Sequence, residues 1–91
     1  MISIIIPTYN ERENMQRLIP ELESLIKRQK LDAEILIMDD NSPDGTASII
    51  KQFQKKYRNL RVIVRQKREG PGKAMKQGYD KARGSILISL D

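Results

Sequence analysis

The chain has 91 residues and contains neither cysteine nor histidine. Thiolate nucleophiles, imidazole bases and ordinary zinc sites are therefore excluded. Chemistry is left to carboxylates, hydroxyls, lysines or a bound ion. The acidic residues stand out by position: Glu11, the adjacent pair Asp39 and Asp40, and Asp91 each close or follow an apolar run. Two neighbouring aspartates at the end of a hydrophobic strand repel each other unless a cation, a ribose hydroxyl or backbone donors compensate them. Such a cluster suits the hydroxyls of a sugar or a divalent metal carrying a diphosphate. The competing explanation is turn and cap duty, ordinary for Asp and Asn after a strand.

Sharper motifs fail on their spacing. The stretch from Asp40 through Asp44 and Gly45 imitates the start of a calcium-binding EF-hand loop. Its twelfth position is Lys51, where a bidentate glutamate is required. Gly72-Lys73 suggests a phosphate loop, but the first glycine of that pattern falls on Lys67 and the hydroxyl position on Ala74. The dinucleotide fingerprint belongs after the first strand, where this chain reads Pro-Thr-Tyr-Asn-Glu without a glycine. A nucleotide diphosphate would need another counter-charge here, and a metal ion is the economical one. Gly70 and Gly72 still allow close backbone approach and could open a helix with free N–H groups toward an anion, or form a plain turn.

The elements that would position these groups follow from periodicity. Residues 2–6, 34–38, 61–64 and 86–90 are short apolar runs rich in β-branched side chains, the pattern of parallel strands covered on both faces. Between them lie three stretches of helical period. Met15, Leu18, Ile19, Leu22, Leu25 and Ile26 share the first face, Ile49, Ile50, Phe53 and Tyr57 the second, and Met75, Tyr79 and Ala82 the third. Pro20 predicts a kink or a fresh first turn in the first helix. Ser42 or Asp44 suits the start of the second, and Gly84 the end of the third. The expected fold is α/β: a Rossmann-like βαβαβαβ open parallel sheet with helices on both faces. In such sheets ligands bind beyond the carboxyl ends of the strands.

Length leaves room for one small domain and none for a deep, enclosed active site. With 38% hydrophobic and 32% charged residues the chain is too apolar to be disordered. No apolar run approaches the roughly 20 residues of a membrane span, and no signal-peptide pattern opens the chain, so a cytoplasmic location is expected. The net charge of +5 is uneven: residues 1–50 carry 5 basic and 9 acidic side chains, residues 51–91 carry 12 basic and 3 acidic. The second half could face nucleic acid, a membrane surface or a phosphorylated ligand, or be a solvated face. Aromatic residues do not interleave with the basic run 65–68, as base stacking on nucleic acid would want.

Residues 5–14 (Ile-Ile-Pro-Thr-Tyr-Asn-Glu-Arg-Glu-Asn), residues 35–46 (Ile-Leu-Ile-Met-Asp-Asp-Asn-Ser-Pro-Asp-Gly-Thr) and the Gly-x-Gly-x-Ala stretch at 70–74, followed by Gly78, resemble family 2 glycosyltransferases. The subgroup they resemble most is the dolichol-phosphate (polyprenyl-phosphate) mannosyltransferases. The resemblance implies a GT-A fold and transfer of mannose or glucose from a GDP- or UDP-sugar to a polyprenyl phosphate with inversion. It implies nucleotide-sugar-binding roles for Pro7, Tyr9 and Glu11, with Tyr9 stacking or packing on the base. Met38 and Asp40 would sit beside the nucleoside, Asp40 accepting from base or ribose. Asp91 aligns with the first aspartate of the family's Asp-x-Asp motif, which implies a Mg2+ or Mn2+ ligand. The family commonly reads Gly-Leu-Gly where this chain has Gly70-Pro71-Gly72, and Lys73 replaces a small polar residue.

Because the sequence stops at Asp91, residues 1–91 are expected to be the nucleotide-sugar-binding half of a glycosyltransferase domain, truncated at that motif. No catalytic residue is expected within it, so activity alone is not expected. The parent would work at the cytoplasmic face of a membrane. Two other classes stand beside this one. Residues 35–41 also resemble the start of a receiver-like phosphoacceptor module, although the acidic pair follows the second run, not the first. A basic nucleic-acid-binding domain using residues 51–83 is the other; if the transferase resemblance holds, no nucleic acid partner is expected. A half-domain would leave a sheet edge or face uncovered, so self-association is expected.

Overall fold

In the computed structural model, which describes residues 1–90, four parallel strands alternate with three helices. The order is β1 (Ile2–Thr8), α1 (Arg12–Arg28), β2 (Ala33–Asp39), α2 (Thr46–Gln54), β3 (Leu60–Val64), α3 (Pro71–Lys81) and β4 (Ile86–Ser89). The sheet order is β3-β2-β1-β4. The chain thus steps outward from β1 to β3, then crosses back to place β4 on the other side of β1. That reversal puts the switch point of the sheet beside the carboxyl end of β1, where open α/β sheets bind ligands.

Side-chain alternation along β1 and β2 divides the core in two. Ile4, Ile6, Ile35 and Ile37 face α1 and α2 and pack with Met15, Ile19, Ile26 and Ile50. Ile5, Leu36 and Met38 face α3 and pack with Ala74. Helix α3 lies close to the sheet because Gly78 has no side chain. A Cβ there would come within 2.5 Å of Ile5 Cγ2 and 3.1 Å of Met38 Cγ.

Several details differ from the periodicity. Helix α1 runs unbroken through Pro20. Its buried face takes in Glu23, while Leu25 is 42% exposed. Tyr79 is exposed, because the buried face of α3 is centred on Ala74 and Gly78. Gly84 does not end α3, which closes at Lys81; it sits instead against the backbone of Met1 and Ser3. Strand β4 departs most. It pairs with β1 from Ile2↔Ile86 to Ile5↔Ser89, yet Ile86, Leu87 and Ile88 are 57%, 43% and 41% exposed. An apolar run identifies a strand but does not say whether the strand lies central or at an edge.

Candidate functional site

The loops after β1 and β2 leave their strands in register, Thr8 beside Asp39. Each then turns through a left-handed asparagine, Asn10 at φ 55° and Asn41 at φ 56°, a conformation that asparagine tolerates better than most residues. Asp39 is fully buried between the loops. Its Oδ1 accepts from the Thr8 and Ser42 hydroxyls, each at 2.7 Å, and its Oδ2 from the Ser42 N–H at 2.9 Å. Three successive N–H groups leading into α1 are also taken by the β2–α2 loop. Asn10 donates to Ser42 Oγ at 2.9 Å, Glu11 to Thr46 Oγ1 at 3.1 Å and Arg12 to Asp44 Oδ2 at 3.2 Å.

In a dinucleotide fold the start of this helix would receive a pyrophosphate. Here Asp44 supplies the negative charge. Burial alone would raise the Asp44 carboxyl, but the Thr46 hydroxyl and the N–H groups of Arg12 and Thr46 outweigh it and hold it below the ordinary aspartate range. Asp44 also accepts from Thr46 N–H at 3.0 Å, but the N-cap of α2 is Gly45, at φ 87°, without a side-chain cap bond, and Ser42 bonds Asn10 and Asp39 instead, so neither expected residue caps the helix.

Asp40 is compensated differently. Its Oδ1 accepts from Arg65 Nη1 at 2.9 Å, and its Oδ2 from the N–H groups of Glu69 at 3.3 Å and Gly70 at 3.2 Å. The ion pair is buried, with the Asp40 and Arg65 side chains 5% and 8% exposed. Repulsion between the two aspartates is therefore relieved by a guanidinium, hydroxyls and backbone donors from the protein itself. Three of about four lone-pair positions on Asp40 are used, which leaves one for a ligand. Gly70, at φ 97° and ψ 162°, adopts a backbone conformation open to glycine alone, which lets its N–H reach Asp40 just before Pro71 opens α3.

Between these loops lies a cleft of about 190 Å³, lined by Pro7, Thr8, Tyr9, Glu11, Asp40, Arg68, Gly70 and Pro71. Pro7, Tyr9, Glu11 and Asp40, far apart in sequence, thus come together. Met38 does not join them. Its parity along β2 turns the side chain toward α3, where it is fully buried against Ile5 and Gly78. Asp91, and with it the anticipated metal ligand, lies outside the described residues. Among the described residues no group of three or more His, Cys, Asp or Glu side chains could hold a metal ion.

Sequence reasoning singled out Gly70 for close backbone approach, but gave no role in this cleft to Thr8, Arg65, Arg68 or Pro71. The Arg68 guanidinium lies over the Tyr9 ring, 4.1 Å from its centroid. The basic run does meet an aromatic ring, contributed by a loop almost 60 positions earlier that no local pattern could pair with it. Larger by volume, at about 460 Å³, is a shallow depression on α1 at Pro20, Glu21, Ser24 and Arg28, remote from the strand ends.

The family model for glycosyl transferase family 2 matches residues 3–91. The chain belongs to this family. Among curated relatives of this family 2 chain, the dolichol-phosphate mannosyltransferase of Pyrococcus furiosus is 38% identical over 90 residues, covering 99% of the chain and 25% of the relative. The glycosyltransferase AglE of Haloferax volcanii is 37% identical, covering 99% and 29%. The chain therefore spans about a quarter of the length of these relatives. Among solved structures, S. aureus TarS 1-349 in complex with UDP is similar with a TM-score of 0.82 and 32% identity over 99% of the chain and 26% of that protein. Mannosyltransferase PcManGT of Pyrobaculum calidifontis, in complex with GDP-Man and Mn2+, is similar with a TM-score of 0.76 and 25% identity over 94% of the chain and 25% of that protein. The receiver-like assignment falls with the family match.

Proposed function

We propose that residues 1–91 form the nucleotide-sugar-binding half of a glycosyltransferase that moves a hexose, mannose foremost, from a GDP- or UDP-sugar to polyprenyl phosphate with inversion. The observation that carries this is the convergence of Pro7, Tyr9, Glu11, Asp40 and Arg68 on one cleft at the carboxyl ends of β1 and β2. At about 190 Å³ the cleft is smaller than the roughly 300 Å³ at which ligand pockets begin, so it takes the nucleoside end and not the whole donor. Tyr9 offers the stacking surface, Glu11 and the remaining lone pair of Asp40 accept from base or ribose, and Pro7 bounds the cleft.

A polyprenyl phosphate is already an anion at neutral pH, so the acceptor needs no strong base, in keeping with a chain without histidine. A divalent ion, Mg2+ or Mn2+, would stabilise the departing diphosphate in the whole protein, with Asp91 as one ligand. The described residues build no ligand set for that ion. Their work is nucleoside binding, and the 91-residue chain is catalytically incompetent alone. The basic balance of residues 51–91 supports a parent working beside anionic lipid at the cytoplasmic face of a membrane, although no helix of the described residues is long and apolar enough to cross one.

Titration of the chain with GDP and UDP, with and without Mn2+, tests the reading. Binding at sub-millimolar concentration without sugar transfer to polyprenyl phosphate is expected; no binding at millimolar nucleotide overturns it. The exposed β4 edge also supports self-association. Sedimentation that shows a clean monomer at high concentration overturns that part alone.

A further inference from the structure

The Arg68 guanidinium is the uncommitted cation of the cleft. Arg65 is bound to Asp40 and Glu69, and Lys73 to Glu69, whereas among the described residues no ion pair engages Arg68. Its contact is the face of Tyr9, at 4.1 Å. Tyr9 is also the one aromatic residue among the described residues lining the cleft. A base that stacks there must first displace the guanidinium, and the displaced cation is then free to take an anionic group, since the cleft's own carboxylates are engaged elsewhere, Glu11 with Asn14 and Asp40 with Arg65 and two N–H groups.

We infer that Arg68 is a specificity-determining residue: it occupies the Tyr9 face until a ligand carries both a base to replace it and an anionic group to receive it. A nucleoside offers the first and not the second, so it loses the cation–π contact and returns nothing. A nucleoside diphosphate returns charge-assisted hydrogen bonds to a planar, five-donor group. The start of α1 does not compete for the diphosphate, because its N–H groups are already taken by Ser42, Thr46 and Asp44. Arg68 therefore makes the cleft discriminate the charged nucleotide from its own nucleoside. The inference rests on the nucleoside-binding reading above and adds what selects the ligand's charge.

Calorimetric titration of the 91-residue chain with guanosine, GDP, uridine and UDP tests it, with Arg68→Ala and Arg68→Lys alongside. In Arg68→Ala the nucleosides are expected to bind about 3-fold tighter, because an exposed cation–π contact of ordinary strength no longer competes. The diphosphates are expected to bind about 10-fold weaker, because a charge-assisted pair is lost. Arg68→Lys keeps the charge but not the planar stack, and is expected to retain most of the diphosphate affinity while nucleosides gain. Arg68 is exposed, and unchanged thermal unfolding of both variants establishes that folding is not the cause. Equal losses for nucleoside and diphosphate in Arg68→Ala, or no change in either, overturn the inference and leave the nucleoside cleft standing. Failure of the unmodified chain to bind any of the four ligands overturns both.

Discussion

At the amino end of the sheet, Glu34 is buried on the α3 side with both oxygens engaged. Oε2 accepts from the Ser3 hydroxyl at 2.6 Å and the Arg83 N–H at 2.7 Å, and Oε1 from the Arg61 guanidinium at 2.8 Å. At the carboxyl end, Asp40 is buried and bound by Arg65 and two N–H groups in much the same way. The materials match, and the surroundings do not. Around Glu34 the chain closes on itself: Gly84 donates to Ser3 Oγ at 2.8 Å and lies backbone to backbone against Met1. Around Asp40 the same economy stops short. One lone pair of Asp40, one oxygen of Glu11, whose other accepts from Asn14 Nδ2 at 3.1 Å, and the Arg68 guanidinium are left beside open space. A compensated buried carboxylate is thus no sign of a site by itself; what remains uncompensated next to a cavity is.

The largest effect on this contrast should come from Asp40→Ala. It leaves buried Arg65 with only the longer 3.5 Å contact to Glu69 and strips two N–H groups of their acceptor, which together cost about 3–5 kcal/mol, and releases the Glu69–Gly70 loop that walls the cleft. Urea unfolding should report the loss of stability, and GDP binding should vanish even where the protein remains folded. If stability were untouched, the ion pair would not be what holds this end together. Glu34→Ala should cost somewhat less, about 2–4 kcal/mol, because Arg61 keeps partial access to water, and should leave GDP affinity unchanged in the folded protein.

The pH dependence of Glu34 has a definite sign. Burial would raise its carboxyl, but the Ser3 hydroxyl, the Arg83 N–H and the Arg61 guanidinium outweigh it and hold it below the ordinary glutamate range. Its contribution is complete above that range and is lost as pH falls through the depressed value. Acid titration of stability should therefore fall less steeply in the variant.

Much of this organisation was legible because parallel strands announce themselves as β-branched runs and because strand ends follow from them. Placing Glu11, Asp39 and Asp40 at one edge of the sheet required only the order of elements. The division of labour between the two aspartates was not legible. Both are buried, but Asp39 turns to Thr8 and Ser42 and Asp40 to Arg65 and the Gly70 loop, a difference that two adjacent identical residues do not mark. Arg65 and Arg68 look alike in a basic run, yet one is neutralised in the interior and the other lies on Tyr9; only the path of the loop through Gly70 separates them. The exposure of β4 and the burial of Glu23 were hidden for a related reason, since periodicity reports a face and not what covers it.

A smaller effect compares two glycines, one from each end. Gly84→Ala should cost about 1–3 kcal/mol by overpacking, since its Cβ would lie 2.5 Å from Met1 O and 2.9 Å from Ser3 N, backbone atoms that cannot step aside. Gly70→Ala meets nothing within 4 Å, and should cost about 1–2 kcal/mol through the backbone strain of φ 97° and ψ 162° alone. Equal costs with an unaltered cleft would mean that the closed end is less rigid than its contacts imply. Thermal unfolding of the two variants decides it.

The smallest effect probes the exception at the closed end. Glu23, on α1, accepts from Asn59 Nδ2 at 2.8 Å through Oε1, while its buried Oε2 has no partner among the described residues. Desolvation by burial raises its carboxyl above the ordinary value, and the Asn59 hydrogen bond offsets this only in part. Folding therefore favours the protonated form. The benefit is present at acid pH and is lost as pH rises through the raised value, so that the ionised Glu23 costs stability at neutrality. Glu23→Gln keeps an acceptor for Asn59 and removes the charge. It should raise stability at pH 7 by about 1 kcal/mol and flatten the curve just above the ordinary glutamate range, the opposite sign to Glu34. A loss of stability at pH 7 would show that the ionised form is compensated after all, and that the amino end is closed without exception.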